Sequence, residues 1–159
     1  MTDKKIVIDY TEYASVDEMS VEDRELVAAA RKARHGSYSP YSRFQVGAAL
    51  RLEDGTVVTG ANQENAAYPS GLCAERTAMF WAGANHPGVA FDTLAIIAAD
   101  RGNLIDEPAT PCGSCRQVMA EYQVQSGKPL KVILAGKSRI LKFRKVDDLL
   151  PLVFDSLKV

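Results

Sequence analysis

The stretch FDTLAIIA, residues 91–98, decides the fold, because it is an apolar, strand-like run that only a buried strand accommodates. Before it, a helix is predicted over residues 73–82, which ends near Gly83. After a polar loop, a further helix is predicted from residue 111 or 112 to about 122, and a second buried strand over residues 130–135. Helix and strand therefore alternate around residues 91–98, which indicates an α/β protein.

The flanking segments complete the predicted fold. Ser20 and Asp23 resemble an N-cap pair that begins a helix ending near Gly36. Strands over 46–50 and 56–59 are joined by Asp54-Gly55, a strong hairpin signal, and 140–143 predicts a short strand. We predict a three-layer α/β/α sandwich with a mixed central sheet of about five strands, antiparallel at one edge and parallel toward the other. Residues 1–19 are predicted to be polar and irregular; we assign residues 1–21 to an N-terminal arm and residues 22–159 to a single domain.

Composition limits the classes of function. The chain has 159 residues, of which 47% are hydrophobic and 25% charged, and its formal net charge is −1. This profile is typical of a soluble globular protein and argues against one that mainly binds nucleic acid. No apolar run approaches the roughly 18–20 residues that cross a bilayer, and residues 1–10 lack the apolar core of an export signal. We therefore expect a cytoplasmic protein with no nucleic-acid or membrane partner.

Three cysteines suggest a metal site. Cys112 and Cys115 lie three residues apart at a predicted helix start, a spacing that on its own suits a redox pair or half of a structural zinc site. Cys73 lies at the start of another predicted helix, where the helix dipole favours a thiolate. Three protein ligands with an open fourth position are typical of catalytic zinc. His35 and His86 do not lie at a spacing that joins this set, so we predict one Zn²⁺ per chain held by the three cysteines.

Two charged residues follow Cys73. At the first turn of a helix, Glu75 can reach over a metal-activated water, accept its proton and pass it to the substrate. Its structural alternative is to complement the helix dipole. Because three thiolates weaken zinc as a Lewis acid, we expect Arg76 to offset their charge by donating to a sulfur. The alternative of an ordinary exposed helix arginine is weaker for Arg76 than for Arg116.

Cys73-Ala74-Glu75 together with Pro111-Cys112-Gly113-Ser114-Cys115 resembles the zinc deaminase signature, in its three-cysteine variant with a glutamate that is not a ligand. Further segments narrow the resemblance to the small homotetrameric cytidine deaminases: residues 38–42, 44–49, 60–65, 73–77 and 110–117. The resemblance covers about residues 22–154. It implies hydrolytic deamination of cytidine and 2′-deoxycytidine to uridine and 2′-deoxyuridine, as in pyrimidine salvage, by a zinc-bound hydroxide with Glu75 as the proton shuttle.

The resemblance also implies substrate contacts. Phe44 would stack on the pyrimidine, Asn62 and Glu64 would bind the ribose 3′-hydroxyl, and the backbone at Ala74 would contact the base. Tyr68 would line the ribose end or reach a neighbouring subunit's site, and Phe154 would cover the base in a neighbouring pocket. The resemblance also implies a homotetramer with active sites that are shared between subunits.

Other functions remain open from the sequence. An antibiotic deaminase of the blasticidin S type shares the cysteine motifs, although Asn62 and Glu64 suit a ribose better. A polynucleotide deaminase would need a basic channel, which the slightly acidic balance does not favour. A non-catalytic zinc-stabilised binding module leaves Glu75 without a role, and a redox protein using Cys112 and Cys115 leaves Cys73 unexplained.

Overall fold

The computed structural model describes residues 1–155. Its strands are β1 Tyr10–Tyr13, β2 Phe44–Leu52, β3 Val57–Ala61, β4 Phe91–Asp100, β5 Asn103–Leu104, β6 Lys131–Ala135 and β7 Ile140–Phe143, and its α-helices are α1 Val21–Ala33, α2 Ala74–Asn85 and α3 Gly113–Ser126. These strands form one sheet in the order β1-β7-β6-β4-β2-β3, and β5 pairs with β4. Within the described part of the chain, no helix has the length and apolarity that a membrane crossing needs.

Helices cover both faces of the sheet. Along β4, Leu94 and Ile96 pack in the core under α2 and α3, whereas Ala95 and Ile97 pack in the core under α1. This alternation follows from the two-residue period of a strand. The predicted three-layer α/β/α sandwich with a mixed sheet is confirmed, although the sheet has seven strands rather than about five within residues 1–155.

The N-terminal arm contains a strand that the sequence analysis missed. Tyr10–Tyr13 pairs antiparallel with β7, and the ring of Tyr10 lies 5.6 Å from the ring of Phe143. The prediction that residues 1–19 are irregular is therefore wrong for this segment. The strand is short and mostly exposed, and its partner lies some 130 residues away, so no local apolar pattern marks it.

The strand directions also differ from the prediction of parallel pairing toward one edge. The parallel pair among the described strands is β4 with β6, near the centre of the sheet. β7 then runs antiparallel to β6, and β1 antiparallel to β7. Residues 136–139 connect β6 to β7, and four residues are too few for the crossover that a parallel neighbour requires.

A glycine brings α2 close to the sheet. A Cβ atom at Gly60 in β3 would lie 2.6 Å from the carbonyl oxygen of Ala74 and 2.6 Å from the amide nitrogen of Ala78, both in the backbone of α2. Only a residue without a side chain allows this approach. The first turn of α2 is thereby seated directly on β3.

Candidate metal centre

The three cysteines meet at two helix N-termini. Cys73 is the N-cap of α2, Cys112 is the N-cap of α3, and Cys115 lies buried in the first turn of α3. The Sγ atoms of Cys73 and Cys112 are 3.9 Å apart, those of Cys112 and Cys115 are 3.5 Å apart, and all three lie within 4.8 Å of one another. Tetrahedral zinc with Zn–S bonds of about 2.3 Å requires sulfur separations of about 3.8 Å, so the cluster fits this ion.

The surroundings of the cluster favour negative charge on sulfur. Nη2 of Arg76 lies 3.7 Å from Sγ of Cys73 and donates to it. Hydrogen bonds from Cys115, Arg76 and Cys112 lower the pKa of the Cys73 thiol to about 5 despite its partial burial. The hydrogen bond with Cys73, followed by burial, raises the pKa of the Cys115 thiol.

Glu75 is buried beside the sulfurs. It lies in the first turn of α2 and is only 5% exposed. Burial, and after it the negative charge of Cys73, raises the pKa of this carboxyl group above its ordinary value. A raised pKa makes a carboxylate a stronger base, which suits general acid–base catalysis. Ala74, its neighbour in the same turn, is fully buried.

A groove opens beside Cys73, and its walls include Asn62, Glu64, Tyr68 and Arg76. The structure therefore brings three of the predicted substrate contacts to the edge of the sulfur cluster. Phe44 is half-buried at the start of β2, and Phe154 is 65% exposed near the end of the described chain. Neither of these two phenylalanines is among the described residues that line the groove.

The side chain of Asn62 ties the groove to the sheet. Its Oδ1 accepts hydrogen bonds from the Val46 amide at 2.8 Å and the Ser37 hydroxyl at 2.6 Å, and its Nδ2 donates to the Phe44 carbonyl at 2.9 Å. An Asn amide has two N–H bonds, and the Phe44 carbonyl uses one of them. The other N–H bond has no partner among the described residues, and Asn62 is one of the residues that line the groove.

Glu64 fixes the loop that precedes β2. Its carboxylate accepts hydrogen bonds from the Tyr41 amide at 2.9 Å and from the amide and hydroxyl of Ser42. Hydrogen bonding from Ser42, followed by the two backbone amides, lowers the pKa of the Glu64 carboxyl group. Tyr68, which also lines the groove, is 75% exposed, and its ring lies 6.3 Å from that of Tyr41.

Two residues that follow Cys115 have hydrogen-bond partners that were not predicted from the sequence. Arg116 is neither an exposed arginine nor bonded to a sulfur, because its Nε donates to the Pro111 carbonyl at 2.9 Å and its Nη1 to the Leu149 carbonyl at 2.7 Å. Nε2 of Gln117 donates to the carbonyl of Phe154 at 2.7 Å. The bonds to Leu149 and Phe154 reach a segment more than 30 residues away, so no local sequence signal predicts them.

Known proteins resemble this chain over most of its length. The sequence model of a family described as "Cytidine and deoxycytidylate deaminase zinc-binding region" matches residues 20–127. A cytidine deaminase of Halalkalibacterium halodurans is 46% identical over 134 residues, which are 83% of this chain and 94% of that protein. A cytidine deaminase of Sporosarcina psychrophila is 50% identical over 99 residues, or 62% of this chain and 68% of that protein.

Solved structures agree with these sequence relatives. The crystal structure of cytidine deaminase from Burkholderia pseudomallei superposes with a TM-score of 0.72 at 40% sequence identity, and covers 86% of this chain and all of that one. The corresponding structure from Mycobacterium tuberculosis gives a TM-score of 0.67 at 37% identity, over 86% of this chain and 99% of that one. The resemblance thus extends from the cysteine motifs to most of the fold.

Proposed function

The chain belongs to the cytidine and deoxycytidylate deaminase family, and we propose that it is a zinc-dependent cytidine deaminase. In this reaction water replaces the amino group at C4 of cytidine or 2′-deoxycytidine, and uridine or 2′-deoxyuridine and ammonia are released, as in pyrimidine salvage. One observation carries the proposal: three thiol sulfurs within 4.8 Å of one another adjoin a buried glutamate in a chain that matches this family.

Cys73, Cys112 and Cys115 would hold the zinc. When bound, zinc acts as a Lewis acid that lowers the pKa of water to about 7. Arg76 offsets part of the thiolate charge through its contact with Cys73, which preserves this Lewis acidity. Three ligands rather than four leave a position for chemistry, as catalytic zinc sites require.

Glu75 moves the protons. Its carboxylate accepts a proton from the attacking water and donates it to N3 of the pyrimidine. As the C4–N bond breaks, the amino group leaves as ammonia after Glu75 has transferred the second proton of the water to it. The water therefore supplies the oxygen of the product carbonyl and both transferred protons, and Glu75 returns to its starting state. Its burial and raised pKa support this role.

The groove beside Cys73 would recognise the nucleoside. The remaining N–H bond of Asn62 and the carboxylate of Glu64 suit a ribose hydroxyl, one as donor and the other as acceptor. A site that depends on such bonds rejects free cytosine, because its polar groups would stay unpaired. Tyr68 would flank the sugar, the Ala74 backbone would contact the base, and Phe44 would stack on it.

We also propose a homotetramer in which Phe154 reaches a neighbouring active site. Phe80 and Trp81 on α2 and Val57 on β3 are 44%, 52% and 46% exposed, which is apolar surface that a second copy could cover. A solution mass of four times the 17.3 kDa chain in light scattering would support this assembly, and a monomer would refute it.

The cytoplasm is the compartment that we propose, because the three cysteines are free thiols, and zinc binding needs them reduced.

We further propose that residues 22–159 form one domain and residues 1–21 an arm added to it. Expression of residues 22–159 alone should yield a chain that still deaminates cytidine, and loss of activity on this truncation would count against the division.

An ultraviolet assay of cytidine, 2′-deoxycytidine, cytosine and blasticidin S, side by side on the zinc-loaded protein, tests the function. We expect turnover of the two nucleosides and little of cytosine. Turnover of blasticidin S alone would identify an antibiotic deaminase instead. If the protein holds one zinc per chain and turns over none of the four compounds, a non-catalytic zinc module is favoured.

A further inference from the structure

The last described segment of the chain is attached to the helix that carries two of the cysteines. Arg116 and Gln117 directly follow Cys115 in α3, and they donate to the carbonyls of Leu149 and Phe154, each at 2.7 Å. Leu149 is buried in the core, and Val153 packs against the same core cluster. Polar anchors at both ends and packing between them thus fix this segment relative to the metal centre.

Phe154 depends on its polar anchor more than its neighbours do. Its ring is 65% exposed, so packing within this chain does little to hold it. Its carbonyl oxygen, by contrast, accepts a hydrogen bond from a side chain that lies two residues after the buried Cys115. An aromatic side chain that binds a ligand needs such support, because a displacement of the ring by about 1 Å weakens its contact with the ligand.

We infer that Gln117 is a positioning residue for the deamination, which holds Phe154 in place on its own subunit so that its ring can cover the pyrimidine in a neighbouring subunit's active site. This inference rests on the proposed function and on the proposed role of Phe154. Gln117 acts through the backbone of Phe154 and touches neither the substrate nor the zinc. It therefore contributes to substrate binding, and the chemical step is left unchanged.

Steady-state kinetics on the full zinc-loaded chain tests this inference. Gln117→Met keeps the side-chain volume and removes the donor, and Gln125→Met makes the same change at an exposed position near the other end of α3. We expect Gln117→Met to raise KM for cytidine about fivefold, which corresponds to the net strength of one neutral hydrogen bond, with kcat and zinc content unchanged. Gln125→Met should leave KM at the wild-type value.

A double-mutant cycle with Phe154→Ala separates positioning from a general structural role. If Gln117 acts through Phe154, the double variant should have the KM of Phe154→Ala alone. An unchanged KM in Gln117→Met, fully additive effects, or a loss of zinc would overturn the inference. If Gln117→Met does not fold, the same KM comparisons are made with Gln117→Asn. The amide of asparagine is one methylene closer to the backbone and cannot reach the Phe154 carbonyl. Wild-type protein without activity on cytidine would refute the proposed function itself. If the wild type is active and Gln117→Met has the same KM, this inference alone is refuted.

Discussion

Gly60→Ala is expected to damage the metal centre without touching it. The new Cβ would lie 2.6 Å from backbone atoms of Ala74 and Ala78, about 0.8 Å closer than the 3.4 Å at which ordinary contacts begin. Neither backbone atom can rotate away, so the first turn of α2 must shift relative to β3. Overpacking of this kind costs about 1–3 kcal/mol of unfolding free energy, or roughly 3–10 °C in Tm for a chain of this length.

The shift should also weaken zinc binding. Cys73 caps the displaced turn, and its Sγ lies 3.9 Å from that of Cys112 on a different helix. We expect zinc affinity to fall about 10- to 100-fold, as when groups that orient metal ligands are lost. Competition with a chromophoric chelator measures this affinity, and thermal unfolding with and without zinc measures the stability.

Gly36→Ala is the matched control, since its Cβ would meet one side-chain atom, the Ala61 Cβ, at an ordinary 3.8 Å. Its Tm and zinc affinity should equal those of the wild type. If Gly60→Ala also has wild-type Tm and zinc affinity, the argument that Gly60 seats the metal-bearing turn on the sheet is wrong.

Three further substitutions test the site and the core. Glu75→Gln should retain one zinc per chain by elemental analysis and lose at least about a hundredfold in kcat for cytidine; normal activity would exclude Glu75 as the proton shuttle. Glu64→Ala should raise KM for cytidine about tenfold at unchanged zinc content, and parallel loss of zinc would show a structural role instead. Burial raises the pKa of Asp92, but hydrogen bonds from Lys131, Thr93 and Arg51 outweigh it and lower that pKa to about 2. A carboxyl group with a lowered pKa stabilises the fold at any pH above its ordinary pKa near 4. Asp92→Asn should therefore reduce the free energy of unfolding at pH 7, measured with denaturant, by about 1 kcal/mol after a discount for solvent exposure. This difference from the wild type should disappear as the pH falls from about 4 to about 2.

The sequence predicts the metal centre well because its determinants are local. Cys73 and Cys112 both lie where a helix begins, and helix starts can be read from nearby residues. Cys115 follows within one turn. The layer order was also predictable, since the period of apolar residues differs between strands and helices.

Contacts between distant segments could not be read from the sequence. The pairing of Tyr10–Tyr13 with β7 depends on backbone hydrogen bonds, which almost any side chains permit. The reversal at β7 follows from the length of one loop. Likewise, the bond from Gln117 to Phe154 joins residues that are 37 positions apart and whose types suggest no partnership. Whether Phe44, Asn62 and the other proposed contacts bind a nucleoside remains a prediction for experiment.

The pairing of β1 with β7 has a practical consequence for anyone who trims this protein. A chain shortened to begin at Ser20, close to where the family match begins, would lack Tyr10–Tyr13 and leave the amide and carbonyl groups along one side of β7 without strand partners. An uncovered strand of this kind is a template for sheet-to-sheet association between molecules. With β1 in place, the edge strand has the sequence YTEY instead of the more apolar ILKF of β7, so we expect a chain that keeps residues 10–13 to aggregate less than one that begins at Ser20.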